Sequence, residues 1–339
     1  MFNFHKDVKT LVLVSASVFI VLSFFVSILP ASELTYVQPL PTADALTNIE
    51  RQGLNIYVKE NCMACHTQQV RNIEMDNVWG DRPSIPSDYY YSKQRMNFWQ
   101  QSPSVLGSER TGPDLTNIGQ RQPSESWHLL HLFNPRSVVG ESIMPAYPWL
   151  FEAKDTTRIS SEDVIVPVPE KYFNEPGKKI IAKPEALQLV AYLQSLKQAP
   201  MPGGAEIDFI PEQEKASPQG GKREAEPSTN SLGKKLYVST CAACHQQNGQ
   251  GLPGAFPSLA DSPIVNDKNP ELLIQIIIQG YDARSEYGVM PGLGGILSNE
   301  DIAAIATYER SSWGNDAPPV TSEDVEKVRE FIKTLQEEL

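Results

Sequence analysis

Two copies of one five-residue pattern, Cys62-Met63-Ala64-Cys65-His66 and Cys241-Ala242-Ala243-Cys244-His245, constrain this chain more than anything else in it. They use all four cysteines of the 339 residues, so no disulfide framework is available to build the fold. Two thiols at this spacing lie on one turn. They can form thioethers to both vinyl groups of a haem, and the next residue then sets an imidazole under the iron. A zinc site would need the two cysteine pairs much closer in sequence. A thioredoxin-type pair would need a βαβ setting and no histidine. Neither alternative accounts for the His after both pairs. The expectation is two covalently bound haem c groups, one on Cys62 and Cys65, the other on Cys241 and Cys244. His66 and His245 are then the proximal iron ligands.

The flanks repeat as well. Gly53-x-x-x-Tyr57-Val58 precedes the first motif and Gly233-x-x-x-Tyr237-Val238 the second, each reading as a short helix that delivers the cysteines. Downstream, Gly112-Pro113-Asp114-Leu115 resembles Phe256-Pro257-Ser258-Leu259, and Met144-Pro145 is matched by Met290-Pro291. Pro113 to Met144 is 31 residues and Pro257 to Met290 is 33. Thioether sulfur suits ferrous iron and raises its potential. The paired spacing therefore makes Met144 and Met290 the expected sixth ligands. His128 and His131, three apart on one helix, are the alternative at the first iron. Met75 and Met96 have no counterpart in the second copy, Met63 lies within the attachment loop and would point poorly, and His5 precedes the apolar stretch described below.

Helix signals bracket these landmarks. Ser124–Asn134 opens after Pro123 and stops before Pro135; Pro270–Gln279 has Asn269 as a cap and Gly280 past its end. Pro184–Leu196 places Leu187, Val190, Ala191 and Leu193 on one side. Ser298-Asn-Glu-Asp301 is a capping signature. Ser322–Leu339 shows Val325, Val328, Ile332 and Leu335 at helical spacing. The copies differ in one respect: His66 to Pro113 spans 47 residues and His245 to Pro257 only 12, so the first carries about 35 extra residues. That insert is rich in aromatics (Trp79, Tyr89, Tyr90, Tyr91, Phe98, Trp99), either covering its own cofactor or forming a docking surface for another subunit.

Leu11–Leu29 is an uncharged, largely apolar stretch whose 19 residues would span roughly 28 Å as a helix, close to a bilayer's ~30 Å core. Lys6 and Lys9 before it set the N-terminus in the cytoplasm and the rest outside. The run exceeds the usual apolar core of a cleaved signal, so it reads as an anchor. Residues 201–230 hold four Pro and four Gly with no apolar period, a connector reaching roughly 30 Å r.m.s. as coil. The expected organisation is a cytoplasmic tip and anchor (1–33), a first domain (34–200), a linker (201–230) and a second domain (231–339).

Net charge is -12, from 29 basic and 41 acidic residues, which argues against nucleic acid as a partner. Residues 231–339 alone hold 8 basic and 15 acidic groups. That acidity suits either simple solvation or docking of a basic partner.

Both modules resemble class I cytochrome c domains, which implies an all-α fold: an N-terminal transmembrane helix and two such domains. The resemblance also implies that Pro113 and Pro257 supply the carbonyls that orient the proximal imidazoles. The first module is more specific. Cys62-x-x-Cys-His-Thr-Gln-Gln-Val-Arg71, Arg110-Thr-Gly-Pro-Asp-Leu115, Ser126-Trp-His-Leu-Leu-His131, Asn134-Pro-Arg136 and Ser142-Ile-Met-Pro-Ala-Tyr147, followed by Trp149-Leu150, resemble the membrane-anchored cytochrome c subunit (FixO/CcoO type) of cbb3-type haem–copper oxidases. The likeness runs from residue 1 to about 200. The second module, with Val289-Met-Pro-Gly-Leu293 and Ala306-Thr-Tyr-Glu-Arg-Ser-Ser-Trp-Gly314, resembles cytochrome c domains in general. The resemblance implies a single-pass subunit of the bacterial inner membrane, its haem domains in the periplasm. It would relay electrons from a soluble basic cytochrome c or similar donor to a catalytic subunit holding haem b and copper, which reduces O2. A nitric oxide reductase subunit and a di-haem peroxidase are the competing readings.

Overall fold

The computed structural model describes residues 6–33, 36–93, 104–211, 229–284 and 287–337. Met96, Phe98 and Trp99 of the insert, His5, residues 212–228 of the connector and the last two residues of the expected helix 322–339 lie outside them.

Helix α1, Val8–Glu33, is the one described helix long and apolar enough to cross a membrane, and none of that span is buried in the protein. Asp7 caps it by accepting from Lys9 N at 3.0 Å. Pro30 has no N–H to give to the preceding turn, and the helix widens to a π segment over Phe24–Ile28 just before it.

The rest is helical in two similar halves. The first is built on α2 (Asn48–Lys59), α3 (Glu125–Phe133) and α4 (Pro184–Ser195). The second is built on α5 (Thr229–Thr240), α6 (Glu271–Gln279), α7 (Asn299–Arg310) and α8 (Ser322–Glu337). The shared Gly-x-x-x-Tyr pattern is a helix crossing made twice. A Cβ on Gly53 would collide with Gln188 O of α4, and one turn on Tyr57 packs edge-on to Tyr192 with ring centroids 5.4 Å apart. A Cβ on Gly233 would collide with Ala304 O of α7, and Tyr237 meets Tyr308, also at 5.4 Å. Glycine is required because the backbones touch; tyrosine fills the space where they diverge.

Capping explains where the helices start. Thr47 and Glu50 close a reciprocal box on α2, and Ser298 and Asp301 close one on α7. Ser124 caps α3 by accepting from Trp127 N. Helix α6 begins at Glu271 with Pro270 at the cap position, while Asn269 Oδ1 accepts from Glu271 N at 3.1 Å.

Three details differ from the sequence reading. First, there is some strand. Strand β1 (Phe151–Asp155) pairs antiparallel with β2 (Lys178–Ala182), and β3 (Gly280–Tyr281) with β4 (Met290–Pro291). Second, the buried face of α4 is Ala186, Leu189, Val190, Tyr192 and Leu193, with Leu187 and Ala191 only half-buried. The face is turned because α2 crosses at Gln188 and Tyr192. Third, Leu335 of α8 is exposed although Val325, Val328 and Ile332 are buried.

The first stretch of the connector folds back on the first half. Ile210 N donates to Asn72 Oδ1 at 3.1 Å and Ile210 O accepts from Glu74 N at 3.1 Å. The described part of the insert is fastened to the end of the first half. Gln198 accepts from Asp81 N and donates to Arg82 O, and Arg82 forms a bidentate pair with Asp88 at 2.7 Å. Trp79 of the insert is half-buried under the Arg121 guanidinium, 5.2 Å from the ring centre.

Candidate haem-attachment sites

At the first site α2 ends at Lys59 and Asn61 turns the chain through a left-handed conformation, φ 57°. A single turn follows: Cys65 N and His66 N both donate to Cys62 O, at 3.2 and 3.0 Å. His66 Nδ1 then lies 2.8 Å from Pro113 O. The carbonyl is brought there by two backbone bonds, Gly112 N to Cys65 O and Leu115 N to Thr67 O, both 2.8 Å.

A buried charge network holds these two segments together. The Asp114 carboxylate accepts from Thr67 Oγ1, Gln69 N and Thr116 N. Arg110 donates to Thr67 Oγ1 at 2.8 Å and to Asp76 at 2.7 Å, and Arg71 closes on Asp76 from the other side at 2.9 Å. Asp76 and Asp114 are fully buried. Burial works to raise the Asp76 carboxyl, but the hydrogen bonds from Arg71 and Arg110 outweigh it and hold the group below its ordinary value. The ion pairs thus fix the loop that carries the Pro113 carbonyl.

Burial lowers the His66 imidazole, with the Pro113 hydrogen bond opposing, so the neutral ring is favoured. A neutral imidazole that donates through Nδ1 leaves the Nε2 lone pair free for a metal. Burial pushes the Cys62 thiol up to about 12. Met144 is half-buried and belongs to the same apolar cluster as Cys62. Met63 is buried in that cluster and Met75 is exposed.

The two histidines of α3 have different surroundings. His128 is buried and its Nε2 lies 2.8 Å from Gln122 O. His131 stacks on Trp127, ring centroids 4.6 Å apart and planes 9° from parallel, and its buried Nδ1 has no hydrogen-bond partner. Burial pushes His128 down to about 4 and His131 to about 3, the latter helped by His128 and His66.

The second site repeats this geometry. Cys244 N and His245 N donate to Cys241 O at 3.1 and 3.0 Å, and His245 Nδ1 lies 3.0 Å from Pro257 O. Tyr237 OH donates to Gln246 O at 2.7 Å, tying α5 to the turn after His245. Burial lowers His245 and pushes Cys244 up to about 12. Cys241, Cys244, His245, Pro257 and Met290 all line one cavity of about 430 Å³. Met290 is held there by the β3–β4 pairing, opposite Tyr281. Two thiols, an imidazole and a thioether around one apolar cavity are the donor set and the space that a haem c requires, so the residues fit the group.

The cavity has two features that sequence reasoning missed. Glu309 reaches it while only 3% exposed, and burial pushes its carboxyl up to about 8. A charged residue on a helix next to Arg310 carries no sign in the sequence that it faces inward. Part of the wall also comes from the other half of the chain, from Gln122, Pro123 and Ser124.

The chain is similar to known electron-carrying proteins over both halves. Residues 3–179 match the family model described as cytochrome c oxidase, mono-haem subunit/FixO. Residues 229–308 match the model described as cytochrome c oxidase, cbb3-type, subunit III. The cytochrome c subunit of the quinone alcohol dehydrogenase of Gluconacetobacter polyoxogenes is 33% identical over 167 residues, 47% of this chain and 32% of that protein. Cytochrome c-552 of Thermus thermophilus is 36% identical over 121 residues, 32% of this chain and 91% of that protein. The cytochrome c subunit of gluconate 2-dehydrogenase from Pantoea cypripedii is 34% identical over 104 residues, 29% of this chain and 24% of that protein. The chain thus spans about a third or less of the dehydrogenase subunits it matches and nearly all of the small cytochrome.

Proposed function

The chain belongs to the cytochrome c oxidase mono-haem subunit/FixO family, and from that premise we propose that it is a di-haem relay, with haem c at both Cys-x-x-Cys-His sequences rather than at one. Two domains, 34–200 and 231–339, each hold one group and are joined by 201–230. Bound haem c supplies one-electron exchange between ferrous and ferric iron. The residues of this chain do the rest. Cys62 and Cys65, and Cys241 and Cys244, hold the groups by thioethers. His66 and His245 offer Nε2 to iron while Nδ1–H donates to Pro113 O and Pro257 O, which fixes tautomer and ring plane. Met144 and Met290 would each offer a thioether sulfur to the iron. The chain itself would carry electrons and break no substrate bond.

Electrons enter at the acidic second domain from a soluble basic carrier, cross to the first domain, and leave to a catalytic membrane subunit with haem b and copper that reduces O2. Helix α1 is the single membrane pass in the bacterial inner membrane, with Lys6 and Lys9 on the cytoplasmic side and both domains in the periplasm. The observation that carries this reading is the histidine–carbonyl relation made twice, at 2.8 and 3.0 Å. The likeness to the cytochrome c subunit of a quinone alcohol dehydrogenase favours a second reading, a relay serving a membrane dehydrogenase. Purification of the intact complex from native membranes, with haem typing and metal analysis, separates the two. A large partner with b-type haem and copper supports the oxidase reading; a dehydrogenase partner without copper replaces it with the second.

A further inference from the structure

The two attachment sites are joined by packed protein as well as by the connector. Residues Gln122, Pro123 and Ser124, at the start of α3 in the first half, form part of the wall of the second cavity. The Ser124 side chain lines the same cavity as the Cys244 thiol. One turn on, Trp127 Nε1 donates to Ala243 O at 3.1 Å, inside the second attachment sequence. Gly288 comes so near α3 that a Cβ there would sit 2.8 Å from Ser126 Cβ. A single apolar cluster runs from Cys62, Met63 and Met144, through Trp127, to Cys244 and Phe256. The other face of the Trp127 contact is His131, stacked parallel on the indole, in the field of His66.

Tryptophan at the centre of a contact, with its N–H satisfied and its ring stacked, is the usual form of an energetic anchor. Electron tunnelling decays steeply with distance and least steeply through close-packed and hydrogen-bonded matter. Helix α3 packs in the one cluster that holds both Cys62 and Cys244, and it is hydrogen-bonded to the second attachment sequence. We infer that Trp127 fixes the second domain on the first and forms, with His131, the packed bridge through which an electron passes between the two haem sites. Transfer then occurs within one closed body, without a domain swinging on residues 201–230. This inference rests on the reading that both sites carry haem c. In the step one electron leaves the second iron, which goes from ferrous to ferric, and arrives at the first, which goes from ferric to ferrous. No bond forms or breaks and no proton moves, and Trp127 keeps its closed shell.

The test uses the full-length, detergent-solubilised holoprotein, with the number of c haems per chain measured first. Fewer than two overturns the underlying reading, and the inference with it. With two present, Trp127→Leu and Trp127→Phe are compared with the parent by hydrogen exchange across 241–256 and by the rate of inter-haem transfer after flash reduction. Trp127→Leu is expected to raise exchange in that segment and to slow transfer roughly tenfold or more. Trp127→Phe keeps the stack, loses the N–H, and falls between. A further variant with about ten Gly and Ser residues inserted within 212–228 is expected to leave the rate unchanged, because a longer connector dilutes only a swinging domain. Unchanged exchange and rate in Trp127→Leu, loosened exchange with an unchanged rate, or a rate that falls with connector length would each overturn the inference.

Discussion

Gly112 lies flat against the imidazole of His66. A Cβ on it would come within 2.7 Å of Nδ1 and 2.9 Å of Nε2, and would collide with Cε1. The residue before the orienting proline must therefore be glycine at this site for the histidine–carbonyl bond to form. In the second copy the corresponding residue is Phe256, whose buried side chain sits in the cluster shared by the two halves.

Gly112→Ala is thus expected to tilt the His66 ring off Pro113 O and to destabilise the first domain by about 1–3 kcal/mol, the range for overpacking. Denaturant unfolding followed at the Soret band measures it. The second site should keep its parent spectrum.

Met144→Ala and Met290→Ala should each open a coordination position at one iron only. The affected haem loses its thioether charge-transfer band, binds added imidazole or carbon monoxide, and drops in potential by roughly 0.1 V or more, within the ~0.8 V that axial ligands command. Redox titration with optical detection resolves the two sites. If both variants keep the parent spectrum, the two methionines are not ligands, and His131, with its free buried Nδ1, becomes the candidate at the first iron.

Glu309 gives stability a pH dependence. Burial raises its carboxyl from about 4.5 to about 8, so between those values the folded state holds a proton that the unfolded state has lost. Its contribution is fully present below pH 4.5 and is lost as pH rises through 8. Thermal midpoints from pH 5 to 9 should fall in the parent and fall less in Glu309→Gln, which keeps the shape without the charge. Equal slopes in both would show that the carboxyl is solvated.

Much of this was legible in the sequence because it is local. The attachment sequences, the capping box at Ser298 and the turn from α6 into Gly280 are decided within a few residues. The repeat was legible too, but its meaning was not: Gly53 and Gly233 are glycines because of Gln188 and Ala304, far along the chain. Strand β1 was missed for the same reason, its partner β2 being separated from it by an irregular segment. The turned face of α4 follows from where α2 crosses it, which periodicity cannot supply. Glu309 and Trp127 were missed because a charge turned inward and a side chain that reaches the other half are products of packing.

The central claim is that iron porphyrin is bonded to this polypeptide at two places. Intact-mass spectrometry of the denatured holoprotein, followed by peptide mapping, measures that directly. The account predicts the polypeptide mass plus two haem groups, one on the peptide holding Cys62 and Cys65 and one on the peptide holding Cys241 and Cys244. A mass increased by one haem or none, or a colour that acidified organic solvent removes, would contradict it.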